Sequence, residues 1–134
     1  MALQLYPLDF IRTHNFNENA GEKICSLLQR NVKRLPQNEP CYVVYDNYES
    51  DFNGNYQVSL ALESNPTGNT AIIEIEDLAW YEVFPTTREC ILQTWRQIWN
   101  KEKQGLLKRA YQTDFEKYYP DGNVEIYISL HPHC

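Results

Sequence analysis

Basic charge is sparse in this sequence. Twelve Lys and Arg residues face 18 Asp and Glu, giving a formal net charge of -6 at pH 7 and a pI near 5.0. Arg30, Lys33 and Arg34 form the one local group of cations, too few to neutralise a line of phosphates, which argues against direct contact with nucleic acid. Histidine is scarcer still, and His14, His131 and His133 all lie near the termini. No Ser-His-Asp or Cys-His arrangement can be read from such a distribution, so catalysis has only carboxylates to rest on.

Long apolar runs are missing as well. No stretch approaches the roughly 20 residues of a membrane-spanning helix, and Met1-Ala2-Leu3-Gln4-Leu5-Tyr6 lacks the basic start and apolar run of a secretory signal, so a cytoplasmic chain away from membranes is expected. The four cysteines, Cys25, Cys41, Cys90 and Cys134, have no C-x-x-C spacing and read as free thiols in a reducing compartment. Cys90, near a helix start, reads as a small half-buried residue before it reads as a reactive thiol. The terminal His131-Pro132-His133-Cys134 has metal-binding residue types but reads as a frayed tail, so neither a metal nor a cofactor is expected.

What the chain does have is alternation. A length of 134 residues suits a single domain with a core of its own. A first strand is expected near residues 4–15, followed by a helix over about 18–33, where Ala20, Ile24, Leu27, Leu28 and Val32 recur at helical spacing until Pro36. Strands follow at 41–45 and 55–62, then a loop through Pro66 and Gly68. Strand-like segments at 71–76 and 78–84 lead to Thr86-Thr87-Arg88-Glu89, spaced as a capping box, and Leu92, Trp95, Ile98 and Trp99 mark a second helix closing near Gly105. A strand around 111–118, a turn and a last strand complete the chain.

This order is strand, helix, strand, strand, written twice. At an offset of 68, Gly54-Asn55-Tyr56-Gln57-Val58-Ser59-Leu60 lies over Gly122-Asn123-Val124-Glu125-Ile126-Tyr127-Ile128. The expected architecture is therefore α+β, a duplicated β-α-β-β unit (about 3–63 and 70–130) with pseudo-two-fold symmetry, a curved antiparallel sheet or barrel and two helices outside. Two half-sheets looking at each other across a groove would make a ligand site at their interface.

The closing hairpin carries the chemistry. Pro120-Asp121-Gly122 reads as its turn, and Val124, Ile126 and Ile128 alternate with Glu125, Tyr127 and Ser129. A loop from Pro120 to Asn123 would set Tyr118 opposite Glu125 and Glu116 opposite Tyr127, gathering two carboxylates and two tyrosines on one surface. A one-residue slip would separate them. In the first repeat the places of Glu125 and Tyr127 are taken by Gln57 and Ser59, so such a groove is acidic and aromatic on one side only, a lopsided pocket for a cation.

The run Cys41-Tyr42-Val43-Val44-Tyr45-Asp46-Asn47-Tyr48-Glu49-Ser50-Asp51-Phe52-Asn53-Gly54-Asn55-Tyr56 resembles the signature of gyrase-inhibitor-like (GyrI-like) small-molecule-binding domains, including the effector-binding domains of AraC-type and MerR-type transcription regulators and stand-alone versions on integron cassettes. Trp80-Tyr81-Glu82-Val83-Phe84, Leu92-Gln93-Thr94-Trp95 and the hairpin Thr113–Tyr118 with Val124–Ile128 extend the resemblance over residues 5 to 130. It implies multidrug binding, meaning lipophilic, often cationic, small molecules met by a buried glutamate among tyrosines. On this chain the glutamate is Glu116. Tyr42 and Tyr118 would be wall residues, Glu125 and Tyr127 lie on the neighbouring strand, and Tyr48 and Trp95 would close the mouth or simply pack. The regulators' helix-turn-helix has no room ahead of the first strand, so any DNA reader would be a separate DNA-binding protein. The alternatives are a small-molecule hydrolase using a pocket Glu and Tyr, and a gyrase-inhibitor-like protein-interaction module.

Overall fold

The computed structural model describes residues 3–14, 26–46, 48, 55–64, 72–75 and 78–131. Strand β1 spans Leu3–His14, helix α1 is described over 26–30, and a 3-10 turn occupies Val32–Arg34. Strands β2 (Cys41–Asp46), β3 (Asn55–Leu62) and β4 (Ile73–Ile75) follow, then a second 3-10 turn at Leu78–Trp80 and strand β5 (Tyr81–Thr87). Helix α2 (Ile91–Lys103), β6 (Asp114–Tyr118) and β7 (Asn123–Ser129) close the chain.

All seven strands form one antiparallel sheet in the order β4-β1-β3-β2-β6-β7-β5, curled into a half-barrel in an α+β fold. Its centre is the β2–β6 pair, with β3 and β7 outside it and β1 and β5 beyond them. The order thus reads the same from both sides of the centre, with β4 added beyond β1. The two halves are not separate sheets facing each other. Cys41 to Tyr45 pair with Tyr118 to Asp114, so the halves continue edge to edge through backbone hydrogen bonds. A groove between facing half-sheets is replaced by the two faces of one curled sheet.

Alternation sorts the residues between those faces. On one face Val43, Tyr45, Val58, Leu60 and Leu62 pack with Leu27 of α1, while Ile126 and Ile128 pack with Ile98 of α2. On the other, Leu5, Tyr42, Val44, Ala61, Ile75 and Phe115 form an independent cluster. Each buried Val, Leu or Ile contributes roughly 1.5–3 kcal/mol, so both faces hold the sheet in its curl. A bulge between Pro7 and Asp9 bends β1, and Asp9 there accepts hydrogen bonds from Arg30 (2.6 Å) and Asn31 (2.9 Å), tying the end of α1 to the sheet. The Arg30 hydrogen bond holds the Asp9 carboxyl near pKa 2 against the opposing effect of burial.

Several expected boundaries shift. The strand expected at 71–76 is β4, only Ile73–Ile75, and residues 78–80 form a 3-10 turn before β5. The strand expected to begin at residue 111 begins at Asp114, after Tyr111 takes a left-handed φ of 53°. Thr86 does not cap α2: strand β5 runs through it to Thr87, and the helix starts after Cys90. The Thr86 hydroxyl instead accepts a hydrogen bond from Thr94 at 2.8 Å. The earlier part of the 18–33 helix lies outside the described residues, as do the Cys25 and Cys134 thiols and residues 132–134.

Gly122 sits at φ 96° in the hairpin turn with open space where a Cβ would go. Gly122→Ala should therefore cost only its backbone strain, about 1–2 kcal/mol. Ile126→Ala, which opens the core under α2, should cost about 2–5 kcal/mol. Urea unfolding of the two variants checks that ordering.

Candidate functional site

Hairpin register decides what shares a surface. Tyr119 N donates to Asn123 O at 2.9 Å and Gly122 N to Tyr119 O at 3.1 Å, so Tyr119 faces Asn123 and the loop is Pro120 to Gly122, one residue shorter than the expected loop. Glu116 accordingly pairs with Ile126 and Tyr118 with Val124, while Lys117 pairs with Glu125 and Phe115 with Tyr127. Glu116 and Tyr118 therefore point to the face covered by α2, and Glu125 and Tyr127 to the opposite face. The expected gathering of two carboxylates and two tyrosines does not form.

Glu116 is 2% exposed. Its carboxylate accepts the Trp95 indole N–H at 2.5 Å and the Tyr118 hydroxyl at 2.9 Å, with Tyr45 as a third donor. Trp95 comes from α2, Tyr45 from β2 and Tyr118 from the acid's own strand, so three elements converge on one side chain. Trp95 and Tyr45 meet edge to face at 5.7 Å between centroids, and Tyr45 lies 5.9 Å from Tyr56. Burial pushes the Glu116 carboxyl above its ordinary range, opposed by the hydrogen bonds from Trp95, Tyr118 and Tyr45. Every one of those donors is neutral. Among the described residues no Lys or Arg forms an ion pair with Glu116.

Two residues upstream the same face gives a contrast. Asp114 is fully buried and bonded to Arg109 at 2.9 Å, to the Tyr48 hydroxyl at 2.6 Å, and to the backbone N–H and hydroxyl of Ser129 at 2.7 and 2.9 Å. Arg109 lies 4.4 Å from the Tyr111 ring centroid, and Tyr111 in turn donates to Glu102 of α2. Asp114 thus has its counter-charge and a structural task, which makes Tyr48 part of that brace.

The remaining expected residues sit on the other face. Tyr42 is buried and donates to Glu63 at 3.0 Å. Glu125 accepts hydrogen bonds from Tyr119 at 2.6 Å and Tyr127 at 3.2 Å, and Tyr127 stacks on Phe115 at 4.4 Å. Among the seven residues expected, the structure brings together Glu116, Tyr118 and Trp95. Tyr45 and Arg109 were missed. The repeat held a signal for Tyr45: Val58 lies over Ile126, Val58 pairs with Tyr45 and Ile126 with Glu116, so Tyr45 holds the place in the first half that the acid holds in the second.

No family model matches the chain, and no curated protein matches it. Among solved structures it is similar to an integron cassette protein from the mobile metagenome of Vibrio cholerae, at TM-score 0.76 and 26% identity over 97% of this chain and 91% of that one. The likeness is to a small protein of this size and architecture. No helix among the described residues is long and apolar enough to cross a membrane.

A buried acid whose pKa is raised in the folded state stabilises the fold fully only below its unfolded value, near 4.5, and that contribution is lost as pH rises through the folded value. Glu116→Gln removes this titration. Its stability relative to the parent should therefore increase as pH rises from about 4.5 towards neutrality, as read from paired urea midpoints. A difference independent of pH would show that the carboxyl titrates normally.

Proposed function

We propose that this chain binds lipophilic organic cations between the sheet and helix α2, with the Glu116 carboxylate meeting the charge and Tyr45, Trp95 and Tyr118 walling the apolar rings. One observation carries this reading: Glu116 is an ionisable acid, buried, held by three neutral donors and paired with no cation among the described residues. An enclosed charge of this kind costs stability unless something neutralises it, by a proton or by a guest. A guest cation supplies the Coulomb attraction in a low dielectric, and contacts with ring faces add about 0.5–2 kcal/mol each.

The guest reaches the carboxylate by displacing the Trp95 indole, which couples binding to the seating of α2. Few directed hydrogen bonds are on offer, so selection rests on charge and bulk. Such a site is promiscuous and binds in the micromolar range, roughly 8 kcal/mol. The signature run and closing hairpin that resemble gyrase-inhibitor-like effector-binding domains support the same reading, as does the likeness in architecture to an integron cassette protein. In that role the chain is a cytoplasmic drug or metabolite sensor. Tyr42, Glu125 and Tyr127, on the far face, fall outside this pocket, and Tyr48 supports it through Asp114.

Binding also draws the acid to its ionised form, so affinity should fall as pH is lowered through the raised Glu116 pKa. Titration of a panel of lipophilic cations and their neutral isosteres, followed by fluorescence of Trp80, Trp95 and Trp99, checks this. Cations should quench saturably and isosteres weakly, and Glu116→Gln should abolish the difference between them. Equal binding of both classes to the parent protein would refute the charge role.

A further inference from the structure

The curl brings the two ends of the strand order together on the face away from the helices. Strand β4 lies at one end and β5, beside β7, at the other, yet Glu74 and Ile75 of β4 line one cleft with Trp80, Tyr81, Ser129 and Leu130. Its volume is about 370 Å³, within the range of small-molecule pockets, and it opens where the half-barrel comes nearest to closing. It is separate from Glu116: Tyr81 pairs with Ser129 and Val83 with Tyr127, which places the cleft on the Tyr127 side of the sheet.

The walls are set by bonds that a ligand need not supply. The Tyr81 hydroxyl donates to the carbonyl of Thr113 at 2.7 Å, and its ring packs on Phe115 at 5.6 Å and Tyr127 at 6.5 Å between centroids. Leu130 N donates to Trp80 O at 2.9 Å and Ala110 N to Ser129 O at 2.9 Å, fixing the backbone around the opening. Burial raises the Tyr81 pKa to about 12, so its phenol stays neutral.

Two features are left unspent. The Trp80 indole is 47% exposed, a large apolar surface offered to solvent beside a cleft. Glu74 also lines the cleft, and its carboxylate makes no hydrogen bond or ion pair among the described residues. Ile75 and Leu130, the rings of Trp80 and Tyr81 and the Glu74 acid, with Gln112, Thr113 and His131 completing the lining, together suit a flat ring bearing a positive group.

We propose that this cleft is a second small-molecule site, which takes a planar aromatic cation of the arylamidinium or arylammonium class, its ring against Trp80 and Tyr81 and its charge at Glu74. The site is independent of the pocket at Glu116 and does not rest on that reading. It gives the protein two compartments, one on each face of the sheet.

The three indole N–H resonances of a 15N-labelled sample report on the two compartments separately, with benzamidinium as the probe and benzamide as its neutral counterpart. Benzamidinium should shift the Trp80 signal saturably at millimolar concentration or below and leave the Trp95 signal in place, with benzamide weaker. Trp80→Ala should abolish binding as read from backbone amides around Ser129, and Glu74→Gln should weaken it roughly two- to fivefold, the scale of an exposed ion pair. Glu116→Gln should leave it unchanged. Both replaced residues of the cleft are exposed, and an undisturbed amide spectrum elsewhere confirms the fold of each variant. Equal binding of benzamide, a Trp80 shift that Glu116→Gln removes, or no saturable shift at Trp80 would each overturn the proposal.

Discussion

A buried ionisable acid with no counter-charge among the described residues, closed under a helix, is the constraint around which this structure is arranged. Removing a carboxylate from water is costly, and the cost can be met by a cation, by protonation or by hydrogen bonds to the charged form. Asp114 takes the first route through Arg109. Glu116, on the same face of the same strand, has no cation among the described residues; it is held by hydrogen bonds from Trp95, Tyr118 and Tyr45, and burial raises its pKa towards the protonated form. Neutral donors orient the carboxylate and partly offset desolvation, yet they leave its charge unbalanced. That imbalance is the basis of the charge recognition proposed here.

The sheet explains why these groups meet. Joining the halves through β2 and β6 puts Val43 opposite Glu116 and Tyr45 opposite Asp114, at the centre of the strand order, where both helices are within reach. Period-two alternation then sends Glu116 and Tyr118 under α2 and Glu125 and Tyr127 to the far side. Curling of the sheet gives that far side its own enclosed surface, with Phe115 and Tyr127 stacked over it and the β4 edge approaching β5. The Arg109–Asp114 bond, with Tyr48 and Tyr111 around it, fixes the start of β6 against the end of α2. The surroundings of Glu116 therefore have one side on the strand and one that arrives on a helix.

Patterned segments were legible in the sequence. Asn55 to Leu62 alternates strictly and is β3 to the residue, and Leu92, Trp95, Ile98 and Trp99 fall on α2. The duplicated order and the burial of Glu116 could be read as well, the first from an offset that preserves Gly-Asn and the alternation, the second from the signature that the chain resembles. Register was not legible: Asn123 suits a turn or a strand end, so nothing local tells a loop ending at Gly122 from one ending at Asn123. That single residue decided the face of Glu125 and Tyr127. Long-range partners were hidden for a different reason. Tyr45 reaches Glu116 only because β2 and β6 pair, and Arg109 reaches Asp114 only because Tyr111 turns the chain with a positive φ, which a bulky aromatic residue does not advertise.

The most direct test is the ionisation of Glu116 itself. A 13C-carboxyl titration of selectively labelled glutamate, assigned through Glu116→Gln, should give a pKa above the ordinary 4.5 in the free protein, falling below that free-state value when tetraphenylphosphonium saturates it. A pKa at or below 4.5 in the free protein, or one that does not move as the cation binds, would contradict the account.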